Sequence, residues 1–124
     1  MDSDTLLSQF AEASRGLLYM SETDAAFTAF AWPEMVGTPS AEAIKSREGY
    51  AAEDPIDVQT VPYFFRNAQD EERQRYDALA ALLEATLADP QVFKIGRIRI
   101  KCYLVGAVKD GSGWAGLTTE VVET

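Results

Sequence analysis

Residues 92–122, with the sequence VFKIGRIRIKCYLVGAVKDGSGWAGLTTEVV, contain the strongest structural signal in the chain. Apolar residues alternate here with a row of bases formed by Arg97, Arg99 and Lys101. Such a period of two is typical of a strand whose two faces meet different surroundings. The pattern therefore predicts one strand over residues 92–108.

The residues on either side extend this strand into an α+β domain. Residues 109–113 (KDGSG) have the composition of a hairpin turn, so residues 114–122 are expected to return as a C-terminal β-hairpin. Upstream, the pattern predicts helices over about 4–15, about 39–48 and 70–87, a strand over 27–32 and a possible strand before residue 61. This order of helices and strands argues for an α+β layered domain.

Composition bounds the chemistry of the chain. Its 124 residues suit a single domain over 1–124, and 47% hydrophobic with 25% charged residues is ordinary for a globular protein. One cysteine, Cys102, and no histidine exclude an intrachain disulfide and a zinc site built from Cys and His. The lack of histidine also removes Ser-His and Cys-His catalysis. We therefore expect no enzyme activity and no cofactor.

The negative charge is concentrated in the first half of the chain. Residues 1–62 carry 11 acids and three bases, whereas residues 63–124 carry nine acids and eight bases. A negative half repels phosphate, so direct nucleic-acid binding is disfavoured. No signal peptide or membrane-spanning apolar run is visible, and a cytoplasmic location with a reduced thiol is the simplest expectation.

Three features of the sequence are candidates for a functional site. The loop Ser21-Glu22-Thr23-Asp24 carries two carboxylates, which suit a hard cation, although a solvated turn is the simpler interpretation. The row of bases suits phosphate, but a solvated sheet face or internal ion pairs are favoured. The C-terminal carboxylate of Thr124 follows a strand directly and would be held in place by it. These residues alone establish only a soluble acidic α+β domain.

Several segments together resemble the nuclease A inhibitor family. They are residues 16–24 (GLLYMSETD) with Phe27 and residues 30–32 (FAW), then residues 89–93 (DPQVF) and residues 115–124 (AGLTTEVVET). The similarity runs in order over nearly the whole chain. It implies a three-layer α/β/α sandwich with a small mixed β-sheet.

The resemblance also implies a function. It indicates a cytoplasmic protein that neutralises a Mg²⁺-dependent, sugar-non-specific DNA/RNA nuclease in a 1:1 complex. Glu22 and the carboxylate of Thr124 would reach the metal of the nuclease, so the protein would need no metal of its own, and Ser21, Thr23 and Asp24 would make secondary contacts. The basic row Arg97, Arg99 and Lys101 is then expected to point away from the interface.

One departure from the family leaves an alternative open. The segment between Phe65 and Asp89 is shorter than in the founding inhibitor and lacks its tryptophan-bearing loop. A non-catalytic interaction module of the same fold, with a different partner, is therefore the second hypothesis. A metal-dependent enzyme centred on Glu22 and Asp24 is the third, and it would require metal binding by the isolated protein.

Overall fold

A computed structural model describes residues 2–123, which form a five-stranded sheet, a separate two-stranded hairpin and four helices. In chain order the elements are α1 (Ser3–Ser14), β1 (Leu18–Met20), β2 (Asp24–Ala26), β3 (Thr28–Trp32), α2 (Ala41–Glu48), β4 (Ile56–Thr60), α3 (Val61–Phe64), α4 (Asp70–Thr86), β5 (Leu87–Ile95), β6 (Arg99–Val108) and β7 (Trp114–Val122).

The large sheet has the strand order β3-β7-β6-β5-β4, and every neighbouring pair is antiparallel. The α+β class and the C-terminal hairpin β6–β7 are confirmed, but the expectation of a mixed sheet is wrong. Two tight hairpins force β5, β6 and β7 to alternate in direction, and each edge strand then runs opposite to its neighbour.

The strand predicted over residues 92–108 is two strands, because the chain reverses at Gly96 between β5 and β6. Gly96 has φ 129°, and a Cβ there would lie 2.4 Å from the carbonyl oxygen of Arg99. Only glycine accommodates that reversal. Ile98, one of the apolar residues that alternate with the bases in the sequence, would share the core face of a single strand, but it lies in the turn and is exposed.

Helices cover both faces of the sheet, which confirms the three-layer α/β/α arrangement. One core packs α1, α3 and α4 against the face that presents Cys102 and Leu104. The other packs Ile44 of α2 against Tyr103 and Trp114 on the opposite face. The large sheet is therefore the middle layer. Because helices cover its two faces, a functional site is expected where its strands end.

The helix boundaries depend on capping groups that the sequence pattern located only approximately. Helix α1 begins after Asp2, whose carboxylate accepts from the backbone N–H of Thr5 at 2.8 Å. Helix α4 ends at Thr86, and the Asp89-Pro90 pair lies within β5 at a register shift, not at the helix end. No helix within residues 2–123 has both the length and the apolarity to cross a membrane.

Candidate functional site

The loop that joins β1 to β2 is a tight turn closed by its own hydrogen bonds. The backbone N–H of Ser21 donates to the carbonyl oxygen of Thr23 at 3.0 Å, and the Ser21 hydroxyl donates to the same oxygen at 2.9 Å. Serine, which readily bonds neighbouring backbone groups, suits this position. Glu22 stands at the tip with an exposed side chain.

The same loop is joined to the end of β7. The backbone N–H of Val122 donates to the Ser21 hydroxyl oxygen at 3.1 Å, and the N–H of Glu22 donates to the carbonyl oxygen of Val122 at 3.4 Å. The structure thus brings Glu22 beside the C-terminal end of the chain, across about 100 positions of sequence. Thr124 itself lies outside the described residues.

Two tyrosine hydroxyls hold the base of the β1–β2 hairpin against the helices. Tyr19 donates to the carbonyl oxygen of Phe64 at 2.9 Å, and Tyr76 donates to that of Leu18 at 2.8 Å. Burial raises the pKa of both phenols, that of Tyr76 to about 12. Both hydroxyls therefore stay protonated as donors at neutral pH, so the hairpin keeps its position.

Basic residues surround this acidic loop. Lys94 of β5, only 14% exposed at its side chain, places its Nζ 3.5 Å from the Glu123 carboxylate. Lys101 lines a groove together with Thr23 and Asp24. The orientation expected for the basic row stays a prediction, and the pairing of Lys101 with Glu120 brings this base to the groove beside the hairpin.

The turn between β5 and β6 lies at the same end of the sheet. The backbone N–H of Glu123 donates to the carbonyl oxygen of Ile98 at 3.0 Å, and Arg99 pairs with Val122. Arg97 precedes Ile98 in this turn and is exposed. The site is therefore an acidic tip on a partly basic sheet end, and not a uniformly negative surface.

A polar groove of about 380 Å³ lies between the loop, β4 and the connection that follows α3. Gln59 lines it and donates through its Nε2 to the Asp57 carboxylate at 2.9 Å, while its Oε1 is buried and has no hydrogen-bond partner among residues 2–123. Arg66 and Asn67 line the same groove. No sequence pattern pointed to these residues, since they come from a strand and a connection more than 30 positions from Glu22 in the chain.

The loop exposes two carboxylates, those of Glu22 and Asp24. Within residues 2–123, no group of three or more Asp, Glu or Cys side chains is placed to hold a metal ion. No third Asp, Glu or Cys from that part of the chain therefore joins Glu22 and Asp24 in a metal centre. What the site presents is a carboxylate on a loop fixed at both its base and its tip.

Fold and site together define an α/β/α domain that displays a rigid acidic loop beside the end of its β7 strand. The family model described as nuclease A inhibitor-like protein matches residues 4–124. The chain belongs to this family, which implies a nuclease as partner and inhibition as function. No curated protein matches the chain.

Proposed function

We propose that residues 1–124 form one nuclease A inhibitor-like domain that inhibits a Mg²⁺-dependent, sugar-non-specific DNA/RNA nuclease as a 1:1 complex. Glu22 and the C-terminal carboxylate of Thr124 would occupy the active-site metal of the nuclease. Ser21, Thr23 and Asp24 would contact the surrounding surface. The protein would act in the cytoplasm without catalysis or a cofactor of its own.

The observation that carries this proposal is the pair of hydrogen bonds between the loop and β7. Because Val122 bonds to both Ser21 and Glu22, the loop that carries Glu22 is fixed to the end of β7, two positions before Thr124 in the sequence. A loop held in this way loses little conformational entropy on binding, and preorganisation of this kind increases affinity.

The chemistry of a nuclease site matches such a surface. Mg²⁺ keeps exchangeable water ligands and prefers oxygen donors, so a carboxylate can take the position of a substrate phosphate oxygen. The surrounding cleft is electropositive because it binds phosphate, and the net negative first half of the chain would speed the encounter. The rate of association is then expected to fall with added salt.

The test is inhibition of DNA digestion by such a nuclease, titrated with protein whose C-terminus is native and untagged. Activity should fall linearly to zero at one equivalent. Glu22→Gln keeps the shape of the side chain and removes its charge, so the inhibition constant should rise on the order of 10²-fold, as for a desolvated charge contact. Glu42→Gln in α2, on the opposite side of the sheet, removes the same charge and should change little.

Three results would contradict the proposal. Full inhibition by both Glu22→Gln and a C-terminally extended protein would exclude the two carboxylates as ligands of the metal. Absence of inhibition at large excess, with capture of a partner that is not a nuclease, would favour the alternative interaction module. DNA digestion or Mg²⁺ binding by the isolated protein would indicate an enzyme.

A further inference from the structure

A second groove, of about 250 Å³, opens beside the loop on the side of α4. Residues of β1, of the segment 64–69 and of the first turns of α4 line it. The connection between α3 and α4 is short here and leaves the groove open to solvent. It adjoins the polar groove at Gln59, and Tyr19, Met20 and Asn67 border both.

Aromatic rings form a preorganised floor in this groove, in which Tyr19 is the half-buried ring at the surface and the other three, Phe64, Phe65 and Tyr76, are at most 4% exposed. Tyr19 and Phe64 stack in parallel with centroids 4.1 Å apart, and Phe65 packs against Tyr76 at 4.8 Å. The hydroxyls of Tyr19 and Tyr76 already donate to backbone carbonyls. The rings therefore stay in place, and the polar atoms of the two tyrosines are committed elsewhere.

The rim of the groove is acidic. Asp70 and Glu72 line it, and neither forms an ion pair with any residue in the described range 2–123. The nearby bases of α4 are engaged: Arg73 pairs with Asp77, and Arg75 donates to the carbonyl oxygen of Arg15 at 2.6 Å. The groove thus combines an aromatic floor with two carboxylates that have no basic partner within the described residues 2–123.

The groove is continuous with the loop that carries Glu22. Met20 directly precedes Ser21 and is 71% exposed, and Leu18, two positions earlier, is 44% exposed. Apolar side chains with this exposure beside a candidate interface indicate a surface that is covered in a complex. A partner that contacts Glu22 would therefore also lie over this groove.

We propose that the groove binds an arginine side chain of the inhibited nuclease; this inference rests on the proposed function. A planar guanidinium stacks on aromatic rings and forms two parallel hydrogen bonds to a carboxylate. The compact ammonium of lysine does neither as well. Its methylene stem fits against Leu18 and Met20. Arginines that bind phosphate beside the metal are the residues that such a cleft supplies.

The groove is tested first without the nuclease, by NMR titration of the protein with N-acetylargininamide and, separately, N-acetyllysinamide. The arginine probe at tens of millimolar should shift the Met20 methyl and the Tyr76 ring resonances, and the lysine probe should shift them far less. Glu72→Gln should remove most of the arginine shift, whereas Glu71→Gln, in the same helical turn but outside the groove, should not.

Inhibition supplies the second readout. Asp70→Asn and Glu72→Gln should each weaken inhibition about tenfold and Glu71→Gln less than twofold, because the contact is local and not a long-range field. When the nuclease arginine that enters the groove is replaced by lysine, inhibition by the wild-type protein should weaken. Inhibition by Glu72→Gln should not change further. This pairing of variants identifies the arginine.

The outcomes separate this proposal from the function on which it rests. Loss of inhibition in Glu22→Gln with none in Asp70→Asn or Glu72→Gln would overturn the arginine site and leave the inhibitor intact. No inhibition by the wild-type protein, with arginine-specific shifts still present, would overturn the nuclease partner and keep the groove chemistry. Equal shifts from both probes, or none, would overturn the arginine site directly.

Discussion

Removing the Ser21 hydroxyl should weaken inhibition although Ser21 carries no charge. In Ser21→Ala, the N–H of Val122 loses its acceptor at 3.1 Å and the carbonyl oxygen of Thr23 loses a donor at 2.9 Å. Each hydrogen bond contributes about 1 kcal/mol net, so the free energy of unfolding should fall by about 1–2 kcal/mol. The loop would then have to be ordered again on binding.

The free energy needed to order the loop again lowers the affinity for the nuclease. If the lost stability is recovered only in the complex, about 1–2 kcal/mol corresponds to an inhibition constant raised about 5- to 30-fold. Titration of nuclease activity measures this directly. Hydrogen exchange of the Val122 amide reports the local opening independently.

A matched control separates loop geometry from general stability. Ser40 caps α2 by accepting from the N–H of Ala43 at 3.2 Å, and Ser40→Ala should cost about 1 kcal/mol of stability in the opposite layer. Its inhibition constant should not change. Equal weakening in both variants, or unchanged inhibition and Val122 exchange in Ser21→Ala, would refute the role assigned to the Ser21 hydroxyl.

Two further predictions concern the fold. Burial raises the pKa of the Cys102 thiol to about 12, above its ordinary value of about 9, so its stabilising contribution is complete below pH 9 and is lost as pH rises towards 12. Chemical denaturation above pH 9 should therefore show the free energy of unfolding falling as pH rises. Cys102→Ala should make this fall less steep by about 1.4 kcal/mol per pH unit. An unchanged slope would contradict the raised pKa. Gly116→Ala would place a Cβ 1.7 Å from the carbonyl oxygen of Leu104 in the adjacent strand, and it should lower the melting temperature far more than Ala115→Gly at the next position.

The sequence predicted most of the fold because its patterns are local. Helix α4 and the turn at residues 109–113 depend on neighbours within a few positions, and both are confirmed. The reversal at Gly96 was missed because the alternation of bases and apolar residues continues through the turn. The glycine was its only signal, since an isolated glycine in a strand pattern often marks an irregularity.

The candidate site divides in the same way. Glu22 and its neighbours were singled out by their short polar segment, and the family resemblance gave them a role that stays a prediction. Their attachment to β7 through Ser21 and Val122 depends on contacts between residues 101 positions apart, which a single sequence does not display. The proximity of Lys101 was missed for the same reason, because strand order decides which faces meet.

The junction between β3 and β7 also sets when the loop can form during folding. It pairs residues 28–32 with residues 114–118, so more than 80 positions of chain must close into a loop before the segment that carries Ser21 lies beside β7. Contacts of such separation slow folding. Both tryptophans of the chain, Trp32 and Trp114, face each other across this junction with ring centroids 6.5 Å apart. In a refolding experiment, their intrinsic fluorescence therefore reports when β3 pairs with β7 and the loop can bind to β7.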